Sequence, residues 1–533
     1  MNGRMMEYPL TLQALLRRAA ALHADGQVVG RRPDGAIERS SYGEVIARAR
    51  RLAGGLLTLG VVPGDRVATL CWSHREHLEA FFGAPLSGAV LHTLNPRLST
   101  DDLAYIVRDA GDRVVIVDES LLDVLAGFRD RVDLERIVVV GRPESGQEAY
   151  EDLIAGAGEA PALEEPDELA AVAMCYTSGT TGRPKGVVYS HRSLVLHSLM
   201  SATVDALAVG EEDRVLPVAP MFHANAWGLP YTAALTGAAL VLPGSRLDPE
   251  SLLELIEGER VTIAAGVPTV WLAVLEALDA DPQRWDVSSL RTVLIGGAAA
   301  PPALIDALER RHGLHAVHSW GMTETAPVAA ISRLPQRFSE APAKRRLAQR
   351  ARQGRPVGLI ELRARADERE VPWDGETMGE LEVRGPWVAA SYHGGAGAEQ
   401  FTGDGWFRTG DIVTIDGGGS IEIRDRTKDL IKSGGEWISS VALESALMGH
   451  PEVAEAAVIA MADERWGERP LAVIVARKGC RPSEESLRAH LATQLPRWCL
   501  PDRYELVEAI PRTAAGKFLK SALRERFAGT GSR

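Results

Sequence analysis

Apolar residues recur at helical spacing over residues 10–22 and 42–59, and these stretches alternate with short apolar runs at 66–71 and 114–117. A period near 3.6 buries one face of a helix, whereas short unbroken runs fit strands covered on both sides. The alternation predicts α/β layers over a largely parallel sheet. From Gly375 onward the texture changes to short β runs broken by glycine, such as 379–384 and 419–423. They predict a separate antiparallel or barrel-like lobe. The charged stretch 424–429 follows, then strand patterns at 455–461 and 470–476 and a helical one at 483–494, whose Glu484 and Glu485 suit a helix N-terminus. The expected organisation is a large domain over 1–425 and a small α+β domain over 426–533. Residues 332–354, rich in Arg, Lys, Gln and Pro, read as an irregular surface stretch or a frayed helix, and no internal repeat stands out.

Composition narrows the classes. A chain of 533 residues exceeds one ordinary core. Apolar residues at 45% and charged ones at 25% are those of a globular protein rather than a disordered or membrane one. Lys and Arg total 59 against 72 Asp and Glu, a formal charge of −13 spread along the chain, which offers nucleic acid no basic footprint. Arg4, Glu7, Pro9 and Gln13 interrupt the N-terminal apolar residues, so a secretory signal is not expected, and no apolar run reaches spanning length. The cysteines Cys71, Cys175, Cys480 and Cys499 lack metal-ligand spacing. A cytoplasmic protein is expected.

The densest chemistry lies in Tyr176-Thr177-Ser178-Gly179-Thr180-Thr181-Gly182-Arg183-Pro184-Lys185-Gly186. Two close glycines let backbone approach an anion, four hydroxyls offer donors, and Lys185 adds charge, which together suit a polyphosphate. A Walker loop needs Gly before the lysine and Ser or Thr after it, where this chain has Pro184 and Gly186. An apolar run at 169–174 precedes the loop and a strand-like run at 187–190 follows it. The pattern is strand, loop, strand.

This loop resembles that of the superfamily of acyl-CoA synthetases, firefly luciferase and peptide-synthetase adenylation domains, and the resemblance extends from about Leu10 to Arg524 with the motifs in the family's order. It implies two α/β subdomains and a distorted β-barrel in the N-terminal domain, which binds ATP and acid, and a C-terminal domain that rotates between two half-reactions. His318-Ser319-Trp320-Gly321-Met322-Thr323-Glu324-Thr325 resembles the second nucleotide motif. By resemblance Glu324 ligates Mg2+ with the Thr177 hydroxyl, a hard-oxygen set adequate for that ion, Thr323 binds the adenylate phosphate, and Trp320, often Tyr in relatives, stacks on adenine. Asp411, in Trp406-Phe407-Arg408-Thr409-Gly410-Asp411, matches the ribose carboxylate, an acceptor-only group. Arg426 matches the second ribose contact and Lys428 the hinge.

Pro511-Arg512-Thr513-Ala514-Ala515-Gly516-Lys517 resembles the catalytic-lysine motif; an ammonium there offsets charge as carboxylate and α-phosphate approach. The resemblance thus assigns catalysis to Lys517, Glu324, Thr323 and Lys185. Lys432-Ser433-Gly434-Gly435-Glu436-Trp437 resembles the thioester-forming face, and Lys432 and Trp437 are carried over as nucleotide contacts, as are Gly297, His318 and Ser319. The implied reaction is attack of a carboxylate on the α-phosphate of ATP, giving acyl-AMP and pyrophosphate, then attack by the thiol of CoA.

The acid site is expected at His223, Ala224 and Trp227 and along Gly296-Gly297-Ala298-Ala299-Ala300, with Gly297 and Ala298 as contacts and small residues leaving room for a chain. Amino-acid adenylation domains place an aspartate soon after the first aromatic, and none stands between Met221 and Pro230. An uncharged apolar acid fits better. Leu91-His92-Thr93-Leu94-Asn95-Pro96-Arg97 and the wording around Trp227, the expected tunnel gate, look like bacterial medium- and long-chain fatty-acid synthetases, whose long-chain members suggest a homodimer. Open alternatives are another acid (aromatic, short-chain or nitrite), an acceptor other than CoA, and a nucleotide-binding protein without catalysis.

Overall fold

The structure, a computed structural model, describes residues 3–158, 165–177, 183–366, 369–434, 436–512 and 518–527. Local signals fix several boundaries. The helix Leu12–Leu22 starts where the Thr11 hydroxyl accepts from the Ala14 N–H. Tyr42–Thr58 starts at a capping box in which Ser41 and Glu44 satisfy each other's backbone N–H.

Nine strands form one sheet in the order Arg355–Pro356, Val328–Ile331, Ala316–Gly321, Thr292–Ile295, Ile263–Gly266, Arg214–Pro217, Ala239–Leu242, Gln27–Arg31, Ile37–Ser41. The pairings from Gln27–Arg31 through Ala316–Gly321 are parallel. A second sheet of seven strands runs Glu148–Ala149, Arg136–Val140, Asp112–Asp118, Arg66–Leu70, Val90–Thr93, Ala171–Tyr176, Gly186–Ser190, parallel except for its last pair. One core cluster draws on both sheets and on the helices Leu12–Leu22, Tyr42–Thr58 and Arg75–Leu86. These are the expected α/β layers.

The glycine-punctuated region forms five antiparallel strands in a row, Arg369–Glu370, Glu361–Ala366, Gly379–Arg384, Phe407–Ile415, Ile421–Arg426. Among the described residues the barrel is an open sheet. Closure requires the outer strands to pair, but one edge is a two-residue strand and the other meets Gly354 through a single bridge at Ile421.

A fourth sheet holds Glu436–Ile438, Ile431–Ser433, Gly467–Ala476 and Val453–Asp463, with Arg503–Leu506 added in parallel. The helices Ser440–Met448 and Glu484–Ala492 pack over it in one apolar cluster. Its tie to the preceding sheet is polar. The buried Asp425 carboxylate accepts from Ser440 N at 2.5 Å and from Ser440 Oγ at 3.0 Å, and Ser439 Oγ donates to the Arg424 carbonyl. Lys520 donates to the same Ser440 hydroxyl and pairs with Glu444, both at 2.6 Å.

Residues 332–354 are more ordered than their composition suggested. Ala343–Ala351 is a helix whose Gln349 is buried, donating to Ser420 Oγ at 2.7 Å, while Arg350 pairs with Glu309 at 2.5 Å.

Candidate active site

The phosphate-loop strands Ala171–Tyr176 and Gly186–Ser190 pair antiparallel, as strand, loop, strand requires. At the mouth the Thr177 N–H donates to the Lys185 carbonyl at 2.9 Å, and the Lys185 N–H donates to Thr177 Oγ1 at 3.0 Å. Ser178, Gly179, Thr180, Thr181 and Gly182 lie outside the described residues, as does Lys517. Lys185 Nζ donates to Gln400 Oε1 at 2.5 Å and sits 4.8 Å from the centre of the Tyr392 ring.

Glu324 is buried in a single turn of 3-10 helix, Thr323–Thr325, just past the strand Ala316–Gly321. Its Oε1 accepts from the Tyr392 hydroxyl at 2.5 Å, and the Thr323 carbonyl accepts from the Tyr189 hydroxyl at 2.7 Å. The chain turns here because Gly321 lies flush against backbone: a Cβ there would stand 1.9 Å from the Pro327 carbonyl oxygen. Burial and the Glu324 carboxylate push the Tyr392 phenol upward, so it stays a donor.

Trp320 and Asp411, 91 positions apart, meet directly. The indole Nε1 donates to Asp411 Oδ2 at 2.9 Å, while Arg426 Nε meets Oδ1 at 2.5 Å. Asp411 and Arg426 are cross-strand partners and the carboxylate is buried. Two donors already hold it, yet a carboxylate offers about four acceptor positions, so room remains for two hydroxyls.

His318 and Ser319 act from behind. His318 accepts from the Ala300 N–H at 3.3 Å through Nε2 and donates to the Ala351 carbonyl at 2.9 Å through Nδ1, tying the 298–300 turn to the helix Ala343–Ala351. Burial pushes this imidazole downward, so it is neutral. Ser319 Oγ donates to the Ile295 carbonyl at 3.3 Å.

At the segment expected to meet the acid, residues Ala224, Asn225, Ala226, Trp227 and Gly228 all have positive φ, from 43° to 73°. Four consecutive non-glycine residues in that region carry strain of about 1–2 kcal/mol each. His223 caps this turn, which presses the Trp227 indole onto the glycines. A Cβ on Gly296 would lie 3.1 Å from the ring, and one on Gly297, itself at φ +81°, 3.7 Å. The Trp227 indole thus packs directly on Gly296 and Gly297, while Ala298 is exposed. Behind the turn, Tyr189, His197, Asn225 and Tyr231 line a cavity of about 10 Å3, the room of a single water.

Lys428 lies in the turn between the third and fourth sheets, where its carbonyl accepts from Arg524. Lys432 and Trp437 are cross-strand partners on the fourth sheet, with the ammonium 5.5 Å from the indole centre. Among the described residues they meet each other, not the Trp320 and Asp411 cluster. Tyr392 and Gln400 were missed by sequence reasoning. They stand in a Gly-rich loop without periodicity, and only their contacts reveal them.

The family model described as AMP-binding enzyme matches residues 16–393, and that of the AMP-binding enzyme C-terminal domain matches 442–517. The chain is 50% identical to a long-chain-fatty-acid–CoA ligase of Thermus thermophilus, over 98% of this chain and 96% of the relative. It is 43% identical to a 3-methylmercaptopropionyl-CoA ligase of Ruegeria pomeroyi, over 99% of each. Among solved structures, the anthranilate CoA ligase AuaEII in complex with anthranoyl-AMP superposes with a TM-score of 0.88 at 28% identity, covering 98% of both chains.

Proposed function

The chain belongs to the AMP-binding enzyme family and is an acid–thiol ligase that uses ATP and CoA, and on that premise we propose that its acid is a medium- or long-chain fatty acid. The observation that carries the choice of acid is the packing of the Trp227 indole on Gly296 and Gly297, an apolar ring and small groups with no carboxylate to pair with a substrate amine. The 50% identity to a long-chain ligase supports the same reading.

In this reading Lys185 with Ser178 to Gly182 holds the phosphates, Thr323 receives the adenylate phosphate, and Asp411 with Arg426 takes the ribose hydroxyls beside the Trp320 ring. Gly297, His318 and Ser319 shape the adenine pocket, and His223, Ala224, Trp227, Gly297 and Ala298 face the acid. Glu324 and the Thr177 hydroxyl are the residues to hold Mg2+. They fit it because both offer hard oxygens, and Tyr392 occupies Oε1 of Glu324 while Oε2 has no hydrogen bond among the described residues. The ion, when bound, offsets triphosphate charge. Lys517 brings a positive charge to the approaching carboxylate and α-phosphate. Rotation about Lys428, with the boundary at 425/426, then brings Lys432 and Trp437 to the nucleotide for thioester formation. We further propose that the chain works as a cytoplasmic homodimer; among the described residues no helix is long and apolar enough to cross a membrane.

The Ruegeria relative favours one competing reading, a short thioether acid. CoA-dependent AMP release and pyrophosphate release with octanoate, palmitate, 3-methylthiopropionate, benzoate and nitrite, each with and without CoA, decide between them. Higher kcat/KM for octanoate or palmitate is expected. Best turnover with a short, aromatic or inorganic acid defeats the proposal.

A further inference from the structure

Between Glu324 and Lys185 stands a side chain with no role in the reaction described so far. Tyr392 precedes the turn His393–Gly395 and is 4% exposed. Its hydroxyl donates to Glu324 Oε1 at 2.5 Å, and its ring lies 4.8 Å from the Lys185 ammonium. Phe401 and Phe407 meet the same ring edge-on, at 5.5 and 6.4 Å between centres, so it cannot swing away. Gln400 accepts from Lys185 Nζ at 2.5 Å, and Gly397 passes so near that a Cβ would lie 2.5 Å from Nζ.

Resting on the assignment of Glu324 to the metal and Lys185 to the phosphates, we propose that Tyr392 is a positioning residue that holds these opposite charges apart and aims each at its own ligand. A carboxylate and an ammonium at the edge of a low-dielectric site attract strongly, and direct pairing would leave neither for ATP. Among the described residues no ion pair joins them; Tyr392 stands between. Its O–H commits one oxygen of Glu324 and leaves Oε2 for a cation. The electron-rich face of its ring seats the ammonium without neutralising it, and Gln400, uncharged, fixes the direction of Nζ.

The test compares the full chain with Tyr392→Phe, Tyr392→Leu and Gln400→Ala, using Mn2+ as the metal probe. Free Mn2+ is followed by electron paramagnetic resonance with saturating ATP, and metal-free ATP binding by calorimetry. Tyr392→Phe keeps the ring and loses one bond to a charged group, so Mn2+ affinity should fall about tenfold while metal-free ATP affinity changes by less than about twofold. The half-saturating Mg2+ for acyl-AMP formation should rise by the same factor. Tyr392→Leu, which lets Lys185 reach Glu324, should weaken both ligands, and Gln400→Ala should weaken ATP alone. Unchanged Mn2+ affinity in Tyr392→Phe, or parallel losses in all three variants that track only their thermal midpoints, overturns the proposal. Glu324→Gln separates it from the reading beneath it: wild-type Mn2+ affinity in that variant defeats the metal assignment and the role of Tyr392 together. Failure to activate fatty acids defeats only the choice of acid.

Discussion

Gly296 is the position where one added carbon should reveal how tightly the Trp227 indole is packed beside the proposed acid site. In Gly296→Ala the new Cβ would stand 2.6 Å from Ser319 Oγ and 3.1 and 3.3 Å from two carbons of the Trp227 ring. The Ser319 hydroxyl can turn away, giving up its bond to the Ile295 carbonyl at a cost of about 1 kcal/mol. The indole has no such freedom, because it is buried and carried on a turn already in the left-handed region. Overpacking a filled site costs about 1–3 kcal/mol, so the total should be about 2–4 kcal/mol. Trp227→Leu removes the ring half of the clash, and the double variant should be more stable than the sum of the two changes implies, by about 1–2 kcal/mol. Urea unfolding of the four proteins measures this coupling, and kcat/KM for palmitate should fall in Gly296→Ala and recover in part when residue 227 is Leu. Additivity within about 0.5 kcal/mol would show that residue 296 and the indole do not compete for space, and the described packing of Trp227 on Gly296 would be refuted.

Three further outcomes are expected. His191 and His197 are buried acceptors of the Leu12 and Val328 N–H groups, and burial pushes each down to about 4 from an ordinary value of 6.5. The unfolded chain therefore binds more protons between those values, so stability is full above pH 6.5 and falls toward pH 4, by about 1.4 kcal/mol per pH unit for each histidine. Urea midpoints from pH 7 to 4.5 check this, and an unchanged pH slope in His197→Gln would contradict it. Lys517→Ala should impair acyl-AMP formation at least about a hundredfold, the scale of removing a charge-stabilising donor, while thioester formation from supplied acyl-AMP persists; equal loss in both steps counts against the assigned role. Trp320→Phe keeps an aromatic face but leaves Asp411 Oδ2 without its indole donor, so the thermal midpoint should drop and the ATP KM rise about tenfold, as for a lost bond to a charged group. An unaltered KM would mean that the carboxylate needs no indole to orient it.

Where periodicity and turn chemistry decide structure, the sequence was readable. The apolar run at 169–174 overlaps the strand Ala171–Tyr176, and the strand-like run at 187–190 falls in Gly186–Ser190, which pairs antiparallel with it. Residues 343–351, read as irregular or as a frayed helix, form a helix whose Leu347 and Ala351 pack on the core while Gln349 reaches Ser420 and Arg350 reaches Glu309; so short a stripe is masked along the chain by its Arg, Lys and Gln neighbours. Contiguous motifs such as those around Glu324 and Asp411 stand out along the chain, and the fold brings Trp320, Asp411 and Arg426 together. Tyr392 and Gln400 gain their meaning only when the chain folds them against Lys185, 215 positions before Gln400. Trp320 was assigned as a stacking surface, and nothing in its neighbours along the chain says that its nitrogen faces Asp411.

The polar clasp of Asp425, Ser440 and Lys520 straddles Lys428, so the proposed pivot is a joint with a detent. If the small domain swings about Lys428 as proposed, each swing releases a buried carboxylate, once per product. Turnover would then inherit its temperature dependence from three side chains that lie outside the proposed site. Substitution at those positions offers a way to retune the speed of the cycle to a colder or hotter habitat while the chemistry at the phosphate stays as it is.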